Sequence, residues 1–290
     1  IQFYHTEFAG DAAIAAMNSL SNADSIIFDL RHNGGGSPSM VKLISSYLFG
    51  SEEVHLNNFY HRPSDTLTQS WTLPYINGLR TPDRDVYILT SGNTFSAAEE
   101  FSYNLKNLKR ATIVGETTGG GAHPGGREVV SDRFLVWVPR GRAINPITNT
   151  NWEGAGVKPD INTPAVNALN VAHAHALEKL AMKNKGTAGD FYRWYLEEAK
   201  ASASPVKIAI ATLNSYAGKY GPRILTIDNG QLYYSRDKRP KRLLKAIDSH
   251  TFSLVGVPSF RLQVVKDKER VIALKSINDT GRTTRYQKEI

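Results

Sequence analysis

The feature that most constrains this chain is a unit that occurs twice in its N-terminal half. A short, continuous apolar run is followed by a glycine- or serine-rich break and then by helical periodicity. Ser25–Leu30 (SIIFDL) is such a run. It breaks at Asn33–Gly36, and Pro38 then opens a helix with Val41, Ile44, Ser45 and Leu48 on one face. Val86–Thr90 (VYILT) repeats the pattern. Ser91-Gly92-Asn93 follows, then a helix with Ala98, Phe101, Leu105 and Leu108 at helical spacing. Ala111–Gly115 (ATIVG) reads as a third such strand. Strands apolar throughout, rather than alternating, are those of a parallel sheet covered on both faces, so the spacing predicts an α/β core.

The rest of the chain is organised around that core. Residues 51–84 hold Pro63, Pro74 and Pro82 without strong periodicity, and read as an insertion or a loop with short strands. Gly119–Gly126 (GGGAHPGG) is too rich in glycine for a regular element. Phe134–Pro139 reads as a strand and Pro164–Leu180 as a helix with proline at its start. Lys185–Gly189 reads as a hinge, followed by a helix over 190–202. Strands dominate beyond it: Arg223–Asp228, Gln231–Ser235, Thr251–Val255, Phe260–Val265 and Val271–Ser276, with a hairpin signal at Asp228-Asn229-Gly230. The expected division is a core over 1–185, a helix and linker over 186–206, and a small β-rich domain over 207–290.

Composition excludes several chemistries. The chain has no cysteine, which removes disulfides, thiol catalysis and zinc–thiolate sites. Its 35 basic and 27 acidic residues leave a net charge of +8, but the excess is not gathered on a nucleic-acid motif, and no nucleic-acid partner is expected. The densest cluster, Arg236–Arg242, is interrupted by Asp237 and Pro240 and reads as a solvated turn between strands. No apolar run approaches the roughly 20 residues that span a bilayer. The eight histidines offer no metal-ligand spacing with a carboxylate, so neither a metal nor a cofactor is expected.

Two segments can carry chemistry. In Asp29-Leu30-Arg31-His32-Asn33-Gly34-Gly35-Gly36 a strand runs into three glycines and then a helix. Such a loop turns backbone N–H groups outward, where they can hold an anion, although a tight strand-to-helix turn needs glycines too. In Thr90-Ser91-Gly92-Asn93-Thr94-Phe95-Ser96-Ala97-Ala98-Glu99-Glu100-Phe101 a buried strand ends, the chain turns, and a helix starts. A serine there sits beside unsatisfied N–H groups at the positive end of the helix dipole, a setting that stabilises an oxyanion. The same residues also allow Thr94 or Ser96 to be only an N-cap, with Glu99 and Glu100 complementing the dipole.

Taken in order, these segments resemble the tail-specific, or C-terminal-processing, serine protease superfamily. Two later stretches share the resemblance: Arg110–Gly121 (RATIVGETTGGG) and Glu153–Asp160 (EGAGVKPD). The resemblance implies a ClpP/crotonase-like β-α superhelical core, with a small mostly-β C-terminal domain beside it. It makes Ser96 the nucleophile, with Gly35, Gly36 and Ala97 supplying the oxyanion hole and a peptide or unfolded protein as substrate. Members with a Ser–Lys dyad carry a lysine where this chain has Gly121, so the chain is more similar to the tricorn and interphotoreceptor retinoid-binding branch. In that branch a histidine upstream of the Asp29 loop activates the serine, and Glu153 matches the supporting glutamate. Only 28 residues precede Asp29, so that histidine and its subdomain are expected outside this chain. His123 is a candidate to shape the site, with holding the glycine loop by hydrogen bonds the alternative, and His32 is a candidate to face the cleft. The alternative is a non-catalytic module binding retinoids or fatty acids on the same fold. A bacterial periplasmic or secreted location is implied by the resemblance alone.

Overall fold

The computed structural model describes residues 2–237 and 239–289. The chain divides into two compact units, Ile1–Ala172 and His173–Ile290. The division falls inside a continuous helix, α4 (Ala168–Lys183), and not at the Lys185–Gly189 break. The hinge expected there is instead the beginning of helix α5 (Gly186–Ala203).

The first unit is built on a four-stranded parallel sheet ordered β1-β4-β5-β9. These strands are β1 (Ser25–Asp29), β4 (Asp85–Thr90), β5 (Thr112–Gly115) and β9 (Ile161–Asn162). The apolar runs read from the sequence are the central ones: Val86, Tyr87, Ile88, Leu89, Ile113 and Val114 are all buried. Helices α1 (Thr6–Ser19), α2 (Pro38–Tyr47) and α3 (Ala97–Asn107) supply the rest of the core, where Phe28, Phe101 and Phe3 meet ring against ring. Ser37 caps α2 by accepting the Ser39 N–H, and Pro38 occupies its first turn. The parallel α/β core and the antiparallel C-terminal domain are the two parts expected from the sequence.

Register places the chemistry. Asp29 pairs with Leu89 at the C-terminal ends of β1 and β4, so the glycine loop after β1 and the Ser96 turn after β4 leave the sheet side by side, where open α/β sheets hold ligands. The proline-bearing insertion forms β2 (His55–His61) and β3 (Thr66–Trp71), which pair with each other, and β2 also pairs with β8 (Gly141–Ile144). Between them in sequence β6 (Gly125–Ser131) and β7 (Phe134–Pro139) form a separate two-stranded ribbon. Both faces of this ribbon are apolar and open: Val129, Val130, Phe134, Leu135 and Trp137 are exposed.

In the second unit α5 and α6 (Ile210–Tyr216) accompany an eight-stranded antiparallel meander, β10 to β17 in sequence order. It runs from β10 (Gly218–Tyr220) through β11 (Arg223–Asp228), β12 (Gln231–Arg236), β13 (Arg242–Ala246), β14 (Thr251–Leu254), β15 (Val257–Asp267) and β16 (Arg270–Asn278) to β17 (Thr283–Gln287). Its ends approach each other: the Glu289 N–H donates to the Lys219 carbonyl at 2.9 Å, and their side chains form an ion pair. This contact joins the chain after β17 to β10, the way barrels dispose of edges.

Candidate active site

The glycine loop is fastened before it reaches the site. Arg31 forks onto Asp29 (Nε to Oδ1 2.8 Å, Nη2 to Oδ2 2.6 Å) and donates Nη1 to the Ala165 carbonyl at 2.8 Å. The guanidinium holds the Asp29 carboxyl below its ordinary range. Asn33 is buried and ties the loop to the serine turn, its carbonyl accepting the Phe95 N–H at 3.0 Å. Ser91 and Thr94 donate their hydroxyls to the Arg31 and Leu30 carbonyls.

Ser96 precedes α3 with φ 54° and ψ −122°. Few non-glycine residues adopt such a conformation, which costs about 1–3 kcal/mol and gathers at active sites. It is also the sharp strand-to-helix turn that presents a serine hydroxyl at the end of a sheet. Gly35, at φ +110°, is needed opposite: a Cβ there would come within 2.7 Å of Ser96 Cβ and 3.2 Å of Ala97 N.

These contacts amend the expected oxyanion hole. The Gly35 N–H donates to Asn33 Oδ1 at 2.8 Å and is therefore not open to a substrate. Among the described residues, no hydrogen bond engages the N–H of Gly36 or of Ala97, and both residues line the cavity in front of Ser96.

That cavity, of about 500 Å³, is lined by Ser96, His123 and Glu153 together with Gly34, Gly36, Gly120 and Gly121. Phe59, Trp137 and Trp152 give it aromatic walls. His123 Nδ1 lies 3.7 Å from Glu153 Oε2, and the same oxygen accepts the Ala122 N–H at 2.6 Å. The structure thus brings Ser96, Gly36, Ala97, His123 and Glu153 to one cavity. His32 is exposed and does not line it. Among the described residues, no cluster of histidine and carboxylate side chains could hold a metal ion.

Two residues of α3 do more than complement the helix dipole. Glu99, with no solvent exposure, accepts four hydrogen bonds. Oε1 takes the Thr118 hydroxyl (2.5 Å) and the Gly120 N–H (2.6 Å), and Oε2 takes the Ser96 N–H (2.8 Å) and the Gly121 N–H (2.9 Å). One carboxylate therefore joins the serine turn to the GETTGGG loop. The Glu153–Asp160 motif supports that loop from the other side: Val157 N–H donates to Thr118 Oγ1, Gly154 N–H to the Gly120 carbonyl, and Trp152 Nε1 to the Gly121 carbonyl. Glu116 accepts the Ala165 N–H at 2.9 Å.

Glu100 also lines the cavity, is buried, and has no hydrogen-bond partner at Oε1. Burial pushes its pKa up to about 8, with the Asn57 side chain opposing weakly. The folded protein thus retains this proton between the ordinary value of 4.5 and about 8, where the unfolded chain releases it. Stability contributed by protonated Glu100 is complete below that window and is lost as pH rises through it. Glu100→Gln is expected to flatten the fall in stability across the window and to raise stability at pH 8 by a few kcal/mol. Chemical denaturation of both proteins at pH 5 and pH 8 measures this.

Position 121 has no room for a side chain beside Phe95. A Cβ on Gly121 would lie 2.1 Å from Phe95 Cζ, and one on Gly119 would lie 2.8 Å from Phe95 Cδ2. The Phe95 ring fills the space that any side chain at position 121 would enter. Gly121→Ala is expected to destabilise by about 1–3 kcal/mol through overpacking, and Phe95→Ala in the same chain to recover most of that loss. Urea melts of the single and double variants test the pairing.

The model of peptidase family S41 matches residues 3–163, from the start of the described fold to the end of β9. The chain belongs to peptidase family S41. The superfamily indicated by the four sequence segments is the one found. Among solved structures, the chain is similar to the photosystem II D1 C-terminal processing protease, with a TM-score of 0.45 and 22% identity over 57% of this chain and 41% of that one. It is similar to a Bacteroides fragilis NCTC 9343 protein described as an S41 protease, with a TM-score of 0.47 and 20% identity over 55% of this chain and 43% of that one. For mature CPAF complexed with lactacystin the TM-score is 0.47 and the identity 15%, over 68% of this chain and 48% of that one. This S41 chain spans less than half the length of each.

Proposed function

We propose that this S41 chain carries the nucleophilic half of a serine endopeptidase that cleaves extended polypeptides. The observation that carries the reading is Ser96 at its strained turn, on a cavity also lined by Gly36 and Ala97, whose N–H groups make no hydrogen bond among the described residues. Ser96 Oγ attacks the peptide carbonyl carbon, and the carbonyl oxygen takes the negative charge between those two donors. The hydroxyl proton passes to a general base and from there to the departing amine. Water then hydrolyses the acyl-enzyme, returning the serine proton.

The base in this reading is a histidine from the segment upstream of the Asp29 loop. Glu153 orients His123 and the Ala122 amide in the cavity wall. A second reading makes His123 the base: it lines the same cavity as Ser96, and its Nδ1 lies 3.7 Å from Glu153 Oε2. The exposed apolar ribbon supports an unfolded, apolar polypeptide as substrate, since its Trp137 and Pro139 also form the cavity wall.

A fluorophosphonate probe tests the proposal. Ser96-dependent labelling is expected in protein that includes the upstream segment. Labelling of residues 1–290 alone, lost in His123→Ala, selects the second reading. Absence of labelling in the longer protein overturns the enzyme in favour of a ligand-binding module, which tight retinol or fatty-acid binding would then identify.

A further inference from the structure

The second unit holds a cavity of about 590 Å³ that the peptidase reading does not use. Five cationic side chains line it, four of them from the cluster read in the sequence as a solvated turn: Arg236, Arg239, Lys241 and Arg242. The fifth, Arg223, begins β11 and is only 5% exposed. Its guanidinium lies over the Tyr286 ring at 3.8 Å, which fixes its plane, yet Nε and Nη1 have no hydrogen-bond partner. A buried guanidinium with unpaired donors is costly to keep, and the cost is removed when an anion enters.

Local carboxylates account for two of the five charges. Lys241 pairs with Asp228 at 2.5 Å and Arg236 approaches Asp237 at 3.4 Å. Arg223, Arg239 and Arg242 have no acidic partner among the described residues. The remaining wall is apolar, from Tyr234, Leu254, Val257 and Phe260. The volume is that of a small-molecule site. Three uncompensated guanidiniums match a dianion better than a carboxylate, and their planar forks suit phosphate oxygens.

We infer that this cavity binds a phosphomonoester attached to an apolar body, with the phosphate on Arg223, Arg239 and Arg242 and the body against Tyr234, Leu254, Val257 and Phe260. The ligand arrives either as a free small molecule or as a lipid headgroup.

Calorimetric titration of the intact chain with octyl phosphate, octanoate and inorganic phosphate tests this. Octyl phosphate is expected to bind at least about tenfold more tightly than either of the others. The double variant Arg239→Ala/Arg242→Ala changes exposed side chains outside the strand interiors, so it is expected to keep its thermal melt and to weaken octyl phosphate at least about tenfold. Arg223→Met weakens it further; should that variant fail to fold, the double variant still decides. Recruitment to phosphatidic acid vesicles, lost in the double variant, assigns a lipid headgroup, whereas binding of octyl phosphate without recruitment assigns a soluble phosphomonoester. No binding of octyl phosphate at millimolar concentration overturns the inference. So does unchanged affinity in the double variant, or equal affinity for octanoate or for phosphate alone.

Discussion

Ser96→Gly is expected to raise the melting temperature of the first unit and, in protein that includes the upstream segment, to abolish probe labelling and peptidase activity. The two effects have separate causes. With φ 54° and ψ −122°, the Ser96 backbone lies where a Cβ is strained. Glycine adopts that conformation freely. Against its extra freedom in the unfolded chain, the net gain is about 1 kcal/mol, or roughly 3 °C for a unit of this size. The loss of activity follows from the missing hydroxyl and is expected at roughly 10⁴–10⁶-fold. Ser96→Ala separates the two: it keeps the Cβ and its strain, so the melting temperature stays near that of the parent while activity falls as far. Differential scanning calorimetry and peptide hydrolysis on the three proteins read both effects. A glycine variant that melts lower than the alanine variant would show that the turn is not strained, and residual Ser96→Ala labelling would remove Ser96 from the mechanism.

The sequence carries the parallel sheet plainly because its strands are apolar on both faces, and nothing but a doubly covered sheet requires Val86–Thr90 to be so. The order of the four segments carries the family for a related reason. Each segment is a place where the backbone must turn, approach another backbone or expose an N–H, and such places tolerate few residues. Less legible is what holds the segments together. Glu99 looks like a helix-dipole residue because its partners, Thr118 and the amides of Gly120 and Gly121, lie in a loop read as shapeless. Hydrogen bonds to backbone leave no pattern in side-chain types. For the same reason Gly35 and Gly36 are indistinguishable as letters, and only Asn33 Oδ1 shows which N–H is already engaged. The β6–β7 ribbon escaped in part because glycines at 125 and 126 argue against a strand. Its Cβ-free start is required where Gly125 meets the Val138 carbonyl. The spacing Ser96-x-x-Glu99, a capping-box signature, places the glutamate beside its own helix start and is the trace of its role in the sequence.

Glu99→Ala is expected to unfold the first unit, and Glu99→Gln to leave it folded but nearly inactive. The carboxylate is fully buried, and its four donors lose their acceptor together in the alanine variant. At about 1–3 kcal/mol for each of four buried donors left unpaired, with a cavity added, the total is comparable to the whole stability of an ordinary domain. Glutamine keeps the shape, and one orientation limits the damage. With Nε2 in place of Oε1, the Thr118 hydroxyl can turn from donor to acceptor, because its bond from the Val157 N–H leaves a second lone pair. Oε1 of the glutamine then keeps the Ser96 and Gly121 amides, and only the Gly120 N–H is orphaned. The expected cost is about 2 kcal/mol by urea denaturation. Activity falls further than stability, by roughly 10²-fold, because the loop through Gly121 and His123 shifts relative to Ser96. Amide hydrogen exchange identifies the orientation: Gly120 exchanges faster in the variant, and the Ser96 and Gly121 amides stay protected. Thr118→Val removes the adaptable hydroxyl, so in that background Glu99→Gln costs more than the sum of the single changes. Additive costs in this double-mutant cycle would mean that Glu99 and Thr118 act separately, and that the carboxylate does not join the serine turn to the glycine loop.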